Sequence, residues 1–170
     1  MTKHDYQKAF AEGYEHQERL AQHFYKLGFE VETQPLPPFT EGVSYDQLNS
    51  FDIKLVGYMG KLYKNPHIIE VKSRPLAYST FQYDTIIVDT CFGYDNKTPK
   101  PLAYVFLFLT DRTVKVLRSE RVYPAWFKDK KYDTIRKQCD LDYLAPVSNL
   151  QSLKMLEDYL RMEAYESTKS

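Results

Sequence analysis

Asp52, Glu70 and Lys72 are the residues of this sequence whose types and spacing could support catalysis. Asp52 falls in an apolar segment at 51–58, and the Glu-x-Lys pair falls at the end of a second apolar segment that begins at residue 68. Side chains alternate between the two faces of a strand, so Glu70 and Lys72 share one face and Val71 belongs to the other. Two carboxylates and one ammonium group would then converge beside an apolar support.

A β-hairpin is the natural interpretation of the whole stretch, FDIKLVGYMGKLYKNPHIIEVKSR at 51–74. Gly60 and the Asn65-Pro66 pair interrupt the apolar pattern and predict the connection between two strands. If the hairpin folds back symmetrically about Lys61, Asp52 lies directly opposite Glu70. Opposed residues of an antiparallel pair have Cβ atoms roughly 5 Å apart, which is close enough for two carboxylates to share one metal ion.

The chemistry that such a group permits is metal-assisted attack on a phosphodiester. Two adjacent carboxylates do not both ionise comfortably without a cation, and hard oxygen ligands select Mg²⁺ or Mn²⁺. The main-chain carbonyl of Val71 could be a further ligand, Lys72 could orient or deprotonate water or stabilise transition-state charge, and Ser73 could donate to a phosphate. The alternative interpretation is a surface salt bridge between Glu70 and Lys72 with Asp52 nearby.

The first helix is predicted for residues 5–27, which contain no proline and place apolar residues at three- and four-residue intervals. Gly28 is the expected stop, and the alternation of residues 29–33 predicts a short strand. Glu18 and Glu15 lie on or beside the helix face that would meet a sheet, so either is a candidate auxiliary acid. For each, a solvated helix-surface glutamate is the alternative.

The remaining chain predicts a long loop and further strands. Residues 34–50 carry three prolines among polar and aromatic residues, and Phe39 or Tyr45 of this loop could contact a substrate. The segment 81–91 indicates a strand with only a weak helix after it. Residues 102–109 form a nearly continuous apolar run, typical of a strand covered on both faces, with a partner strand at 114–117.

Basic residues in the second half are weaker candidates for contacts with a nucleic-acid backbone. One group surrounds the predicted hairpin of residues 102–117, and the other is interleaved with aromatic residues between 123 and 146. A solvated sheet edge explains the first group equally well. The candidates are Arg112, Lys115, Arg118, Lys128, Lys130 and Lys131.

Composition predicts one compact domain covering residues 1–170, with a core at about 5–118 and a basic, aromatic segment and helix at 119–166. In that last segment Asn149 is the predicted cap of the final helix. Lys plus Arg and Asp plus Glu both number 23, so any nucleic-acid surface must be a local patch. Two cysteines without a CxxC pair, and no predicted signal peptide or membrane span, favour a cytoplasmic location without membrane contact.

The order of helix, strand, Asp-bearing strand and Glu-x-Lys strand resembles the PD-(D/E)XK nuclease superfamily over about residues 5–118. The resemblance implies an α/β, restriction endonuclease-like three-layer fold, in which a central mixed β-sheet is flanked by helices. It assigns Asp52 and Glu70 as metal ligands and Lys72 as the catalytic lysine. Phe51 replaces the usual proline before the Asp, and the family's spacing from Gly28 leads to Gln17, next to Glu18.

The function implied is a Mg²⁺- or Mn²⁺-dependent endonuclease, with DNA favoured over RNA as the substrate. A homodimer is an open expectation, because two active sites are needed to cut two strands. The alternative is a catalytically inactive module that keeps the nuclease fold and binds nucleic acid or protein. Gln17 and the neutral net charge favour that alternative.

Overall fold

The computed structural model describes residues 3–34, 51–119, 126–133 and 138–167. The predicted loop contacts Phe39 and Tyr45 lie outside these ranges. Three helices, nine strands and two short 3₁₀ turns make up the described chain. In chain order they are α1 (Lys3–Lys26), β1 (Phe29–Thr33), β2 (Ile53–Tyr58), β3 (Lys61–Arg74), a 3₁₀ turn (Tyr78–Thr80), β4 (Thr85–Thr90), α2 (Cys91–Asn96), β5 (Ala103–Phe108), β6 (Thr113–Arg118), β7 (Phe127–Asp133), β8 (Gln138–Pro146), a second 3₁₀ turn (Val147–Asn149), β9 (Gln151–Ser152) and α3 (Leu153–Glu166).

A six-stranded mixed sheet forms the centre of the fold, with the strand order β1-β2-β3-β5-β6-β9. Its neighbouring strands are antiparallel except for β3 and β5, which run parallel. The predicted helix stop at Gly28 is confirmed, since this residue has a φ of 93° that suits glycine, and β1 covers the predicted residues. Strand β5 is buried along nearly its whole length, as its apolar run predicted.

The β2–β3 hairpin has the predicted register near the candidate site and a different one near its turn. Ile53 pairs with Ile69, which agrees with symmetry about Lys61. The turn itself lies at Met59-Gly60, where both residues have positive φ, and Tyr58 pairs with Lys61. The predicted break at Asn65-Pro66 is wrong, because β3 runs unbroken from Lys61 to Arg74. The register changes by three residues between these two pairings, and an irregularity in the pairing of β3 with β2 accommodates the extra residues.

A second sheet of three antiparallel strands, in the order β4-β8-β7, packs against one face of the first. The predicted basic, aromatic segment at 119–166 therefore contributes a hairpin, β7–β8, that the sequence pattern did not reveal. Strand β4 lies within the connection between the parallel strands β3 and β5, where a helical crossover is usual, and α2 follows it directly. A short strand and a single short helix thus replace the crossover helix.

The molecule has three layers, with the six-stranded sheet in the middle. On one face, α1 and α3 cover an aliphatic core that includes Phe24, Ile69, Val105 and Leu160. On the other face, the three-stranded sheet and α2 enclose a second core. The fold is α/β with a mixed sheet, as predicted, but helices cover one face of that sheet while the second sheet and α2 cover the other.

The final helix starts later than predicted. Its N-cap is Ser152, and the predicted cap Asn149 belongs to the 3₁₀ turn that precedes β9. Residues 151 and 152 are extended because they pair with β6 before the helix begins. Among the described residues, no helix is both long and apolar enough to span a membrane.

Candidate active site

Asp52 lies one residue before the start of β2, where its carboxylate bonds to the neighbouring strand. The last described pair of β2 and β3 is Ile53 with Ile69. Asp52 Oδ2 then accepts a hydrogen bond of 2.7 Å from the backbone N–H of Val71. The carboxylate accepts the hydrogen bond that a backbone carbonyl of a neighbouring strand would otherwise accept. This bond fixes the position of the Asp52 side chain beside the polar face of β3. Burial raises the pKa of Asp52, whereas the Val71 N–H, Lys72 and Lys97 oppose that rise.

Glu70 projects from β3 to the face opposite Ile69 and Val71, as the alternation predicted. Ile69 and Val71 pack in the helix-covered core, whereas the Glu70 side chain is buried on the other face of the sheet. Burial raises the pKa of Glu70 to about 7, and the nearby Asp52 carboxylate adds to the shift. Lys72 and Lys97 reduce it. Glu70 is therefore a carboxyl group that is near its titration point at neutral pH.

Asp89 and Lys97 enter the same site from β4 and from the end of α2. Thr90 is the N-cap of α2, since its hydroxyl accepts a hydrogen bond of 2.9 Å from the N–H of Gly93. The short helix α2 reverses the direction of the chain and brings Lys97 back to the site. Lys97 Nζ lies 2.6 Å from Asp89 Oδ2 and 3.5 Å from Glu70 Oε2. Lys97 therefore bridges two carboxylates that belong to different sheets.

Asp89 is the common partner of the cations in the site. It accepts hydrogen bonds from Lys72 Nζ at 3.5 Å, from the Tyr104 hydroxyl at 3.1 Å and from the N–H of Thr90 at 3.0 Å. Burial alone would raise the pKa of Asp89, but Lys72 and Lys97 outweigh burial and hold it below its usual value. Asp89 is thus ionised at neutral pH and anchors the ammonium groups around Glu70.

Arg74 brings the site close to charge balance. It lies on the same face of β3 as Glu70 and Lys72, stacks over the ring of Phe106 and donates to the Ile87 carbonyl at 2.7 Å. Burial lowers the pKa of Arg74, and the charge of Asp89 raises it. Three carboxylates therefore face three cations. These are Asp52, Glu70 and Asp89 on one side and Lys72, Lys97 and Arg74 on the other.

The predicted helix residues divide clearly in their contacts. Gln17 is buried and donates from its side-chain amide to the backbone carbonyl of Asp52. Glu15 is exposed and pairs with Arg19 on the next helical turn, away from the site. One carboxylate oxygen of Glu18 is buried without a hydrogen-bond partner, and no described contact joins this residue to the site. Of the three predicted helix residues, Gln17 is therefore the one with a described contact to the candidate site.

Ser73 is not on the carboxylate face. Residues 69, 71 and 73 of β3 share one side of the sheet, because side chains alternate along the strand, and that side faces the helices. The predicted donation from Ser73 to a phosphate at the site therefore has no support from its position.

The predicted nucleic-acid contacts are spread over the molecule. Arg112 is exposed in the β5–β6 turn, and Lys115 stacks over Tyr78. Arg118 is a correction to the predicted basic edge, since it is buried against Tyr159 of α3, on the opposite face of the sheet from Lys115. In β7, Lys128 lies over the Tyr143 ring and Lys130 is exposed, while the Lys131 side chain lies outside the described part of the chain.

The sequence reasoning missed Asp89, Lys97 and Tyr104. A signal for Asp89 was present, since TIIVDT ends a buried strand with an aspartate directly before the helix cap Thr90. The signal for Tyr104 is its place in the apolar run of β5, which does not distinguish a hydroxyl directed at a carboxylate from ordinary core packing. Lys97 carries no local signal, because only the fold of α2 brings it to Glu70.

No group of three or more histidine, cysteine or acidic side chains that could hold a metal ion is found among the described residues. Protein-family models, curated proteins and solved structures were compared with this chain, and none of them matches it.

Proposed function

We propose that this protein is a Mg²⁺- or Mn²⁺-dependent nuclease that hydrolyses phosphodiester bonds, with DNA as the favoured substrate, and that it has a restriction endonuclease-like fold. The observation that carries the proposal is the convergence of Asp52, Glu70 and Lys72 on one face of the β2–β3 hairpin. Their register was expected from a hairpin symmetric about Lys61, and Ile53 opposite Ile69 agrees with it.

The donor set suits a hard divalent cation. Glu70 is buried and Asp52 is half-buried, and the charge of Asp52 disfavours ionisation of Glu70 while the charge of Asp89 disfavours ionisation of Asp52. Such a pair gains most from a cation that binds both, because the cation offsets desolvation and mutual repulsion together. The main-chain carbonyl of Val71 is the proposed third ligand. When bound, such an ion polarises a phosphate oxygen and lowers the pKa of a coordinated water.

Lys72 supplies the protein's own cation beside the carboxylates. Its side chain is about a quarter exposed, with Nζ held 3.5 Å from Asp89 Oδ1 and 5.7 Å from the centre of the Tyr104 ring. From this position an ammonium group can hydrogen-bond an attacking water or a phosphate oxygen, which stabilises the charge that develops in the transition state. Gln17 contributes indirectly, because it holds the backbone of Asp52 in place.

The proposal is tested with a cleavage assay on single-stranded, duplex and branched DNA and on single-stranded RNA. Each substrate is incubated with the protein in Mg²⁺, in Mn²⁺ and in EDTA. We expect cleavage of at least one DNA substrate that requires the divalent cation. Inactivity on all four substrates in both metals, from protein that is shown to be folded, would overturn the proposal.

A second candidate function is a non-catalytic module that binds nucleic acid or protein. The observation that favours it is the charge balance of the site, since Lys72, Lys97 and Arg74 already balance its three carboxylates without a metal ion. Calorimetric titration with Mn²⁺ separates the two functions. A nuclease must bind the cation through Asp52, whereas a binding module need not respond to it.

A further inference from the structure

Lys97 places a positive charge directly against Glu70, which is one of the proposed metal ligands. Its ammonium group lies within 3.5 Å of Glu70 and 2.6 Å of Asp89, and its side chain is about one fifth exposed. The Glu70 side chain is only 7% exposed, so water does little to solvate its charge. In the protein without a divalent cation, Lys97 is therefore the counter-ion in direct contact with Glu70.

The fold holds this lysine firmly in place. Thr90 caps the start of α2, and the backbone N–H of Lys97 donates to the Tyr94 carbonyl at 3.2 Å at its end. The shorter of the two side-chain contacts of Lys97 is the one with Asp89, at 2.6 Å. The contact with Glu70 is the longer of the two. Lys97 can therefore give up Glu70 and remain bound to Asp89, without exposing an unpaired charge in the interior.

We propose that Lys97 is a resident counter-ion of Glu70 that a divalent cation must displace, and that this lysine thereby lowers the affinity of the site for the cation. The inference rests on the proposed function, because it concerns the same carboxylates. Its physical basis is the repulsion between a fixed positive charge and an incoming doubly charged ion a few ångströms away. In a partly buried site, water screens that repulsion only weakly.

The neighbouring lysine provides a matched control. Lys100 also follows α2, but its ammonium group donates to the backbone carbonyls of Tyr94 and Asp95 and not to the carboxylates of the site. Lys97→Met removes the proposed counter-ion with little change in side-chain length. Lys97→Arg keeps the charge, and Lys100→Met removes one positive charge from the same segment without touching Glu70.

The first experiment is calorimetric titration of the full chain with MnCl₂ at about pH 8.5, where protons compete less with the metal ion for the carboxylates. We expect Lys97→Met to bind Mn²⁺ roughly tenfold more tightly than the wild type. Lys97→Arg and Lys100→Met should match the wild type. If Lys97→Met does not fold, Lys97→Gln, which keeps a hydrogen-bond donor for Asp89, provides the same test.

The second readout is thermal unfolding, which needs no activity. In EDTA, Lys97→Met should melt at a lower temperature than the wild type, because Glu70 loses its counter-ion. In excess Mn²⁺ this difference should become smaller, because the bound cation replaces the counter-ion of Glu70 but not the contact between Lys97 and Asp89. Wild-type binding with an unchanged or weaker affinity in the variant would overturn this inference and leave the proposed function standing. Absence of Mn²⁺ binding in the wild type would overturn both.

Discussion

The two faces of the six-stranded sheet are built from the same strands but serve different purposes. Towards α1 and α3, β3 presents Ile69 and Val71 to an aliphatic core. Towards the second sheet, the same strand presents Glu70, Lys72 and Arg74 to a cluster of buried charges. Both faces lower the free energy of the fold through apolar burial, but only the face towards the second sheet also holds carboxyl groups at a cost in desolvation.

The difference indicates how the molecule can support a reactive group. A buried charge cluster is tolerated when the rest of the fold supplies enough apolar stabilisation, and here the helix-covered core and the second core beside the cluster both supply it. Substitutions of core residues on the helix-covered face should therefore lower stability, whereas substitutions on the charged face should change function or the part of the stability that depends on charge. Four experiments test this division, taken from the largest expected effect to the smallest.

Lys72→Ala should lower the rate of metal-dependent DNA cleavage by about 10²- to 10⁴-fold, because it removes the ammonium group beside the carboxylates. The thermal unfolding temperature should change little. Initial rates on the substrate that the wild type cleaves best provide the measurement. Lys64→Ala is the matched control, since Lys64 lies on the same strand with an exposed side chain. Equal rates for both variants would remove Lys72 from the mechanism.

Phe24→Ala should lower the free energy of unfolding by about 3 kcal/mol, since this ring is fully buried and packs edge-on against Phe29 at 5.5 Å between centroids. Tyr25, the next residue, is 73% exposed, so Tyr25→Ala should cost less than about 0.5 kcal/mol. Urea unfolding of both variants tests the prediction. A loss below about 1 kcal/mol for Phe24→Ala would show that the helix-covered face does not stabilise the sheet as described.

Glu70 should make the stability of the cation-free protein depend on pH. Its pKa is raised from 4.5 to about 7 by burial and by Asp52, so the folded state binds the proton more tightly than the unfolded state. The stability that this preference provides is complete below about pH 4.5 and is lost as the pH rises to about 7. Glu70→Gln should remove the dependence and be more stable than the wild type by about 2 kcal/mol at pH 8.

The measurement is urea unfolding in EDTA between pH 5 and pH 8. Glu166→Gln, which changes an exposed glutamate near the end of α3, is the control and should follow the wild type. A difference in stability between Glu70→Gln and the wild type that does not grow from pH 5 to pH 8 would contradict the buried and repelled state of Glu70.

Gln17→Ala should reduce stability by about 1 kcal/mol, because the Asp52 carbonyl loses a hydrogen-bond donor at the junction of the two faces. Gln22→Ala, at an exposed position of the same helix, should have almost no effect. Chemical unfolding at neutral pH distinguishes them. Identical free energies of unfolding for the two variants would mean that Gln17 does not fix the position of Asp52.

Much of the fold follows from local patterns in the sequence. The extents of β1 and β5, the stop at Gly28 and the pairing of Ile53 with Ile69 all depend on alternation, apolar runs and turn residues. Each of these signals depends only on residues that are close together in the sequence, so the sequence alone is enough to predict them. The extra residues in β3 near Pro66 were not predictable in this way, because an irregular strand pairing and a loop produce similar local sequences.

The second sheet and half of the charged site could not be read from the sequence. Strand β4 pairs with β8 across a long separation, and the basic residues of β7 hide its alternation. Asp89 and Lys97 meet Glu70 only because β4 and α2 pack beside β3. Arg118 illustrates the converse, since a basic residue in an apparent surface patch is buried against Tyr159 of α3.

The central claim is that Asp52 and Glu70 form a divalent-cation site, and calorimetric titration of wild-type protein and Asp52→Asn with Mn²⁺ tests it most directly. Asparagine keeps an oxygen that can accept from the Val71 N–H, so the hairpin should retain its structure. We predict saturable Mn²⁺ binding by the wild type and binding at least about tenfold weaker in Asp52→Asn. A wild type that does not bind Mn²⁺, or a variant that binds it equally well, would contradict the account.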